Sequence, residues 1–106
     1  MNKYYFVAAS EKFLTVEEPL DEILKERIRK YKENNREIDF WLIKRPAFLN
    51  ISSLQDISRQ IPSPKAAVVS TDKKFIAFLK LRLEFVATGE FSFPNPEISD
   101  PLEIES

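Results

Sequence analysis

Lys3-Tyr4-Tyr5-Phe6-Val7-Ala8-Ala9 is the stretch on which the fold turns. In an extended chain Tyr4, Phe6 and Ala8 point one way, while Tyr5, Val7 and Ala9 point the other. Both faces are apolar, which suits only a central strand covered on both sides. The rest of the chain must therefore supply neighbouring strands and two covers.

Moving outward, a helix begins at Pro19, a residue suited to the first helical position because the N–H it lacks would be unpaired there anyway. Leu20, Ile23, Leu24, Ile28 and Tyr31 form its apolar stripe, and Asn34-Asn35 is a left-handed stop. Its charged side reads as a solvated face. Residues 37–43 read as a second strand, with Ile38, Phe40 and Leu42 on one face and Glu37, Asp39, Trp41 and Ile43 on the other. Lys44-Arg45-Pro46 turns the chain, and Ala47–Ile51 is expected to pair back as a short third strand. Ser52 or Ser53 caps a short helix that Pro62 and Pro64 end. Lys65–Ser70 is a fourth strand. Thr71 caps a last helix running to about Thr88, with Gly89 as its left-handed terminal cap.

The order β-α-β-β-α-β plus a final helix is that of an α+β, ferredoxin-like plait with an antiparallel sheet and an added C-terminal helix. Without the third strand, a three-stranded mixed sheet results. Residues 92–106 hold three of the seven prolines and lack periodicity, so they are expected to form a flexible, disordered acidic tail after a single α+β domain at 1–91. That tail carries four acids and no base, leaving residues 1–91 at +3 within a chain of net charge −1.

Several functions are excluded by what is missing. The 106 residues contain no His and no Cys, and Gly89 is the sole glycine. Imidazole is the usual general base near neutral pH and a common metal ligand, and thiolates serve as nucleophiles and cluster ligands. A histidine-containing di-iron site, a Ser-His-Asp triad and a glycine-rich phosphate cradle are all ruled out. No cofactor is expected, and the chain reads as a non-enzyme that works by contact. No apolar run approaches the roughly 18–20 residues that cross a bilayer. The N-terminus has neither a secretory leader's apolar run nor a transit peptide's Arg- and Ser-rich make-up, so the chain is expected to act where it is made or to be already mature. Tyr4-Tyr5-Phe6 and Phe40-Trp41 resemble base-stacking aromatics, but no basic groove accompanies them, and nucleic acid is not an expected partner.

The last helix carries the strongest signal. At 100° per residue its apolar side chains span about 220°, wider than the ~100° stripe that one core contact requires. Arg82 falls inside that arc. Asp39 sits mid-strand, where Asp has poor propensity. Either the two pair internally or sit separately at the domain edge, or Asp39, Phe40 and Arg82 help to form a docking surface, Arg and aromatics being typical interface anchors. Ala9, at the end of the first strand, permits close backbone approach.

Taken together, the strings Tyr5-Phe6-Val7-Ala8-Ala9-Ser10, Glu37-Ile38-Asp39-Phe40-Trp41-Leu42, Pro46-Ala47-Phe48-Leu49, Val69-Ser70-Thr71 and Leu79-Lys80-Leu81-Arg82-Leu83-Glu84 make the chain resemble the hypothetical chloroplast open reading frame 54 family, also called low chlorophyll accumulation A. The resemblance spans nearly the whole chain. Departures lie mainly in Asn50–Ile61, near Ala8 and Phe85, and in the tail. It implies an accessory or assembly subunit of the aerobic magnesium-protoporphyrin IX monomethyl ester cyclase of chlorophyll biosynthesis, acting by binding the di-iron catalytic subunit. It also implies a place in the cyanobacterial cytoplasm or plastid stroma, peripheral to the thylakoid membrane through that partner. Asp39, Phe40, Arg82 and Ala9 are then the candidate partner-binding residues. A different function remains open beside it: a chaperone that binds the magnesium tetrapyrrole and presents it to the cyclase.

Overall fold

In the computed structural model, which describes residues 2–18 and 20–105, the doubly apolar stretch lies within β1, Asn2–Ser10. It is an interior strand of a four-stranded sheet completed by β2 (Phe40–Lys44), β3 (Lys65–Ser70) and β4 (Ala87–Phe93), in the order β2-β3-β1-β4. All three pairings are antiparallel, with Tyr5 opposite Ser70, Phe6 opposite Gly89 and Phe40 opposite Ser70. Order and senses are those of a ferredoxin-like plait within the α+β class.

Both faces are covered, as β1 requires. On one, Val7, Ala9, Ala66, Val68 and Phe40 meet α1 (Asp21–Glu33) through Leu24 and Tyr31, and α3 (Lys73–Leu83) through Phe75, Ile76, Leu79 and Leu83. On the other, Phe6, Ala8, Ala67, Val69 and Phe91 meet Phe48, Leu49, Ile51, Leu54, Ile61 and Ile98. Phe6 is the hub of this second core, its ring 4.8 Å from that of Phe48 and 6.4 Å from that of Phe91. Burying such a side chain contributes roughly 1.5–3 kcal/mol.

The chain departs from its sequence pattern in several places. Ala47–Ile51 is not a strand. Arg45 has φ +50° and turns the chain off the end of β2, after which Ala47–Asn50 and Ser52–Leu54 wind as 3₁₀ turns leading into α2, Gln55–Arg59. An extended segment would split Phe48 and Leu49 between two faces; tight turns lay both on the sheet. The last helix stops at Leu83 rather than Thr88, and the plait's fourth strand follows it, so α3 is a crossover helix and not an addition. Gly89 is no helix cap: it lies in β4 without positive φ.

The expected disordered tail is instead tied down. Residues 92 and 93 belong to β4, so the boundary set at 91 falls inside a strand. Farther on, Ala47 N donates to Glu103 O at 2.8 Å, Glu105 N donates to Arg45 O at 2.8 Å, and Ile98 is buried. The cap of α3 is Asp72, not Thr71: its Oδ1 accepts from Lys74 N at 3.0 Å and Phe75 N at 3.3 Å. Asn35 is left-handed as expected, with φ +55°. The expected helical start at Pro19 lies outside the described residues. Among these, no helix is long and apolar enough to cross a membrane.

What Gly89 supplies is space. A Cβ at this position would stand 2.8 Å from Phe6 Cζ and 3.1 Å from Ile57 Cδ1. The Phe6 ring is wedged among Phe48 and Phe91 and has nowhere to go. Gly89→Ala is therefore expected to lower unfolding stability by about 1–3 kcal/mol, although alanine otherwise suits a strand better than glycine. Urea titration of the two proteins checks this; an alanine variant as stable as the parent contradicts the wedge.

Candidate docking surface

Two arrangements stand out on the helical face of the sheet. The first is centred on Arg27 of α1. Its guanidinium carbon lies 3.8 Å from the centroid of the Phe75 ring, 5.0 Å from that of Tyr31 and 5.4 Å from that of Phe40. Nη2 donates to Asp72 Oδ2 at 3.0 Å and to the Tyr31 hydroxyl at 2.8 Å. Nε is buried with no hydrogen-bond partner among the described residues, so the aromatic faces take part in stabilising the cation. Tyr31 donates in turn to Asp39 Oδ1 at 2.9 Å, and Arg36 Nη2 lies 3.9 Å from Asp39 Oδ2.

Asp39 does further work through its backbone. Its carbonyl accepts from Ser70 Oγ at 2.8 Å and Thr71 N at 3.2 Å, and Ser70 Oγ accepts from Asp72 N at 2.9 Å. Asp39, Tyr31, Arg27 and Asp72 thus form one relay fixing the start of α3 to α1 and to the entry of β2. A cleft of about 590 Å³ opens beside it between α1 and α3, lined by Ile23, Arg27, Lys30, Lys74, Phe75 and Phe78 among others.

The second arrangement is the outer side of α3 and the turn after it. Phe78, Leu81 and Phe85 are 51%, 80% and 82% exposed. Arg82 is exposed between them, and among the described residues no carboxylate lies within ion-pair distance of it. The excess width of the apolar arc is therefore real: Phe75, Ile76, Leu79 and Leu83 face the sheet, and a second stripe faces water.

The four residues singled out from sequence do not form one surface. Phe40 is 3% exposed and packs edge-on against Tyr31 and Phe75, while Ala9, 7% exposed, faces the core opposite Ala66. Neither offers a side chain to a partner. Asp39 and Phe40 belong to the Arg27 relay at the start of α3. Arg82 lies ten residues after Asp72, about 15 Å along the axis at ~1.5 Å per residue. The internal Asp39–Arg82 pair is not formed.

Arg27 was hidden by its setting on a charged helix. Its one sequence signal is spacing, since Ile23, Arg27 and Tyr31 recur every fourth residue and place the arginine in line with apolar neighbours. The arrangement positions side chains and offers apolar area. Among the described residues, no group of three or more acidic side chains is close enough to hold a metal.

The Ycf54 protein family model matches residues 2–93. The chain belongs to the Ycf54 family. It is 53% identical over 102 residues to the Ycf54-like protein of Synechocystis sp., covering 96% of this chain and 77% of that one. With the chloroplastic protein YCF54 of Arabidopsis thaliana it shares 37% over 107 residues, spanning 97% of this chain and 50% of the plant protein. The crystal structure of All0216 from Nostoc sp. PCC 7120 superposes with a TM-score of 0.95 at 51% identity, covering 99% of this chain and 97% of that one. Ycf54 family proteins thus occur in cyanobacteria and chloroplasts, and the Nostoc protein shares this fold.

The relay has a pH signature. Burial, and then the hydrogen bond to Asp39, hold the Tyr31 phenol above its ordinary value of 10.0. The folded chain keeps a proton that the unfolded chain releases, so this contribution to stability is complete below pH about 10 and is lost as pH rises through the folded-state value. Ultraviolet titration should show one of the three tyrosines ionising last, and Tyr31→Phe should remove that step. Asp39→Ala should bring the step down and cost about 1–2 kcal/mol of stability. Normal titration of all three phenols in the parent protein contradicts the relay.

Proposed function

We propose that this Ycf54 family protein is a non-catalytic accessory subunit of the aerobic magnesium-protoporphyrin IX monomethyl ester cyclase, supporting the enzyme by binding its di-iron catalytic subunit. The observation that carries this reading is the outward stripe of Phe78, Leu81 and Arg82 on a helix whose inner side already fills the core, continued by Phe85 in the turn after it. A chain without imidazole or thiol is poorly equipped for oxygen chemistry, and a large apolar stripe in water is a standing requirement for a companion. Membership in a family of cyanobacteria and chloroplasts is consistent with a role in making chlorophyll. The protein would lie on the cytoplasmic or stromal side of the thylakoid membrane, held there by its partner.

Within this reading the sequence-derived residues divide their work. Arg82 meets the partner directly. Asp39 and Phe40 act at a distance, by fixing the start of α3, and Ala9 keeps the sheet beneath it close-packed. Affinity-tagged protein from a cyanobacterial membrane extract should recover the di-iron subunit. Arg82→Ala should reduce recovery roughly tenfold, the ratio that ~1.4 kcal/mol corresponds to, while leaving the unfolding temperature unchanged. Undiminished recovery by a stable Arg82→Ala protein argues against this face, and failure of the parent to recover the subunit argues against the role.

A further inference from the structure

Phe78, Leu81, Arg82 and Phe85 fall at i, i+3, i+4 and i+7, the anchor spacing of a helix that enters a partner's groove. Phe85 nevertheless lies outside the helix. The chain leaves α3 at Glu84, which has φ +59° and ψ −60°, and Phe85 N donates to Leu83 O at 2.6 Å. This is a three-residue γ-turn with its centre at positive φ, a strained form for a residue bearing a side chain. Lys80 Nζ braces the turn, donating to Glu84 O at 3.1 Å and Val86 O at 2.6 Å. Val86 is itself buried, so Phe85 is fixed between two anchored residues and directed into water.

Among the described residues the two Lys80 hydrogen bonds offset part of the strain at Glu84, but the strained turn and a phenyl ring 82% exposed still weaken the isolated chain. We propose that Phe85 is the principal anchor of the docking surface, held ready by the Glu84 turn and the Lys80 brace, and that it enters an apolar hollow of a partner protein rimmed by carboxylates. This rests on the reading of α3 as the docking face. Charge argues for the rim: Lys73, Lys74 and Arg82 lie around the stripe without ion pairs among the described residues and outnumber the one free carboxylate beside Phe85, Glu84, whereas the nearby Glu90 is taken by Lys3 at 2.9 Å. The same charges disfavour a second copy, because a two-fold contact would bring both sets of cations together.

The test places the photoreactive p-benzoylphenylalanine at Phe85, and at exposed Ile104 as a control, in tagged protein expressed in cyanobacterial cells. Irradiation followed by sequencing of the crosslinked peptide identifies what lies against the ring. A Phe85-specific adduct within an acidic, apolar segment of the di-iron subunit supports both this inference and the assignment of partner. An adduct with such a segment of another protein supports the anchor and overturns the cyclase assignment. Adducts with lipid, with a second copy, or no more than Ile104 gives, overturn the anchor. Glu84→Gly supplies the second readout: relief of strain should raise the unfolding temperature while lowering the Phe85 crosslink about threefold or more, as the ring loses its fixed direction. A Glu84→Gly protein that crosslinks as well as the parent overturns the role of the turn.

Discussion

Every other element answers to the burial of β1 on both faces. A strand with Phe6 and Ala8 on one side and Val7 and Ala9 on the other cannot sit at an edge or beneath a single layer. A ferredoxin-like plait covers one face of its sheet with its two crossover helices. Here the β2–β3 connection and residues beyond β4 are drawn over the other, around Phe6, Phe48 and Phe91. Gly89 is the local price of that second cover, since the Phe6 ring occupies the space of its missing Cβ. With the second face closed by turns, α3 remains on the first and has only one side to bury.

The Arg27 relay converts this leftover surface into a defined one. Asp72 caps α3 with one carboxylate oxygen and accepts from Arg27 with the other, while Tyr31 links Arg27 to Asp39. Because the cation is stacked on Phe75 and partly desolvated, these bonds act in a medium of lower dielectric than water, where they are stronger. The start of α3 is therefore positioned from three elements at once, and its far end is positioned by the Lys80 brace. A docking helix held at both ends loses little freedom on binding, which is the usual route from modest contact area to useful affinity.

The sequence made the centre of the fold legible and left its margins obscure. The alternation in β1, the stripe of α1 with its stop at Asn35, the β3 segment and the excess apolar arc of α3 all announce themselves through periodicity. Ala47–Ile51 does not, because apolar residues in succession fit a buried strand and a turn laid on a sheet equally well. Helical periodicity continues through Phe85 and Val86, and masked both the γ-turn and the alternation of Phe91 and Phe93 in β4. Gly89 invited a capping role because glycine serves backbone freedom and close approach alike. The Asp39–Arg82 pairing failed for a plainer reason: two unusual residues need not be each other's solution, and Asp39 had Tyr31 and Arg36 nearby.

The central claim is that this protein acts through the exposed side of α3 and the turn that follows it. Amide hydrogen exchange, read along the chain alone and with the purified di-iron subunit, tests it most directly. Slowed exchange is expected only at residues 77–86 and the adjoining cleft, with the Phe6–Phe48–Phe91 side unaffected. Slowing that falls instead on the β2–β3 connection and residues 95–105, with 77–86 unchanged, contradicts it.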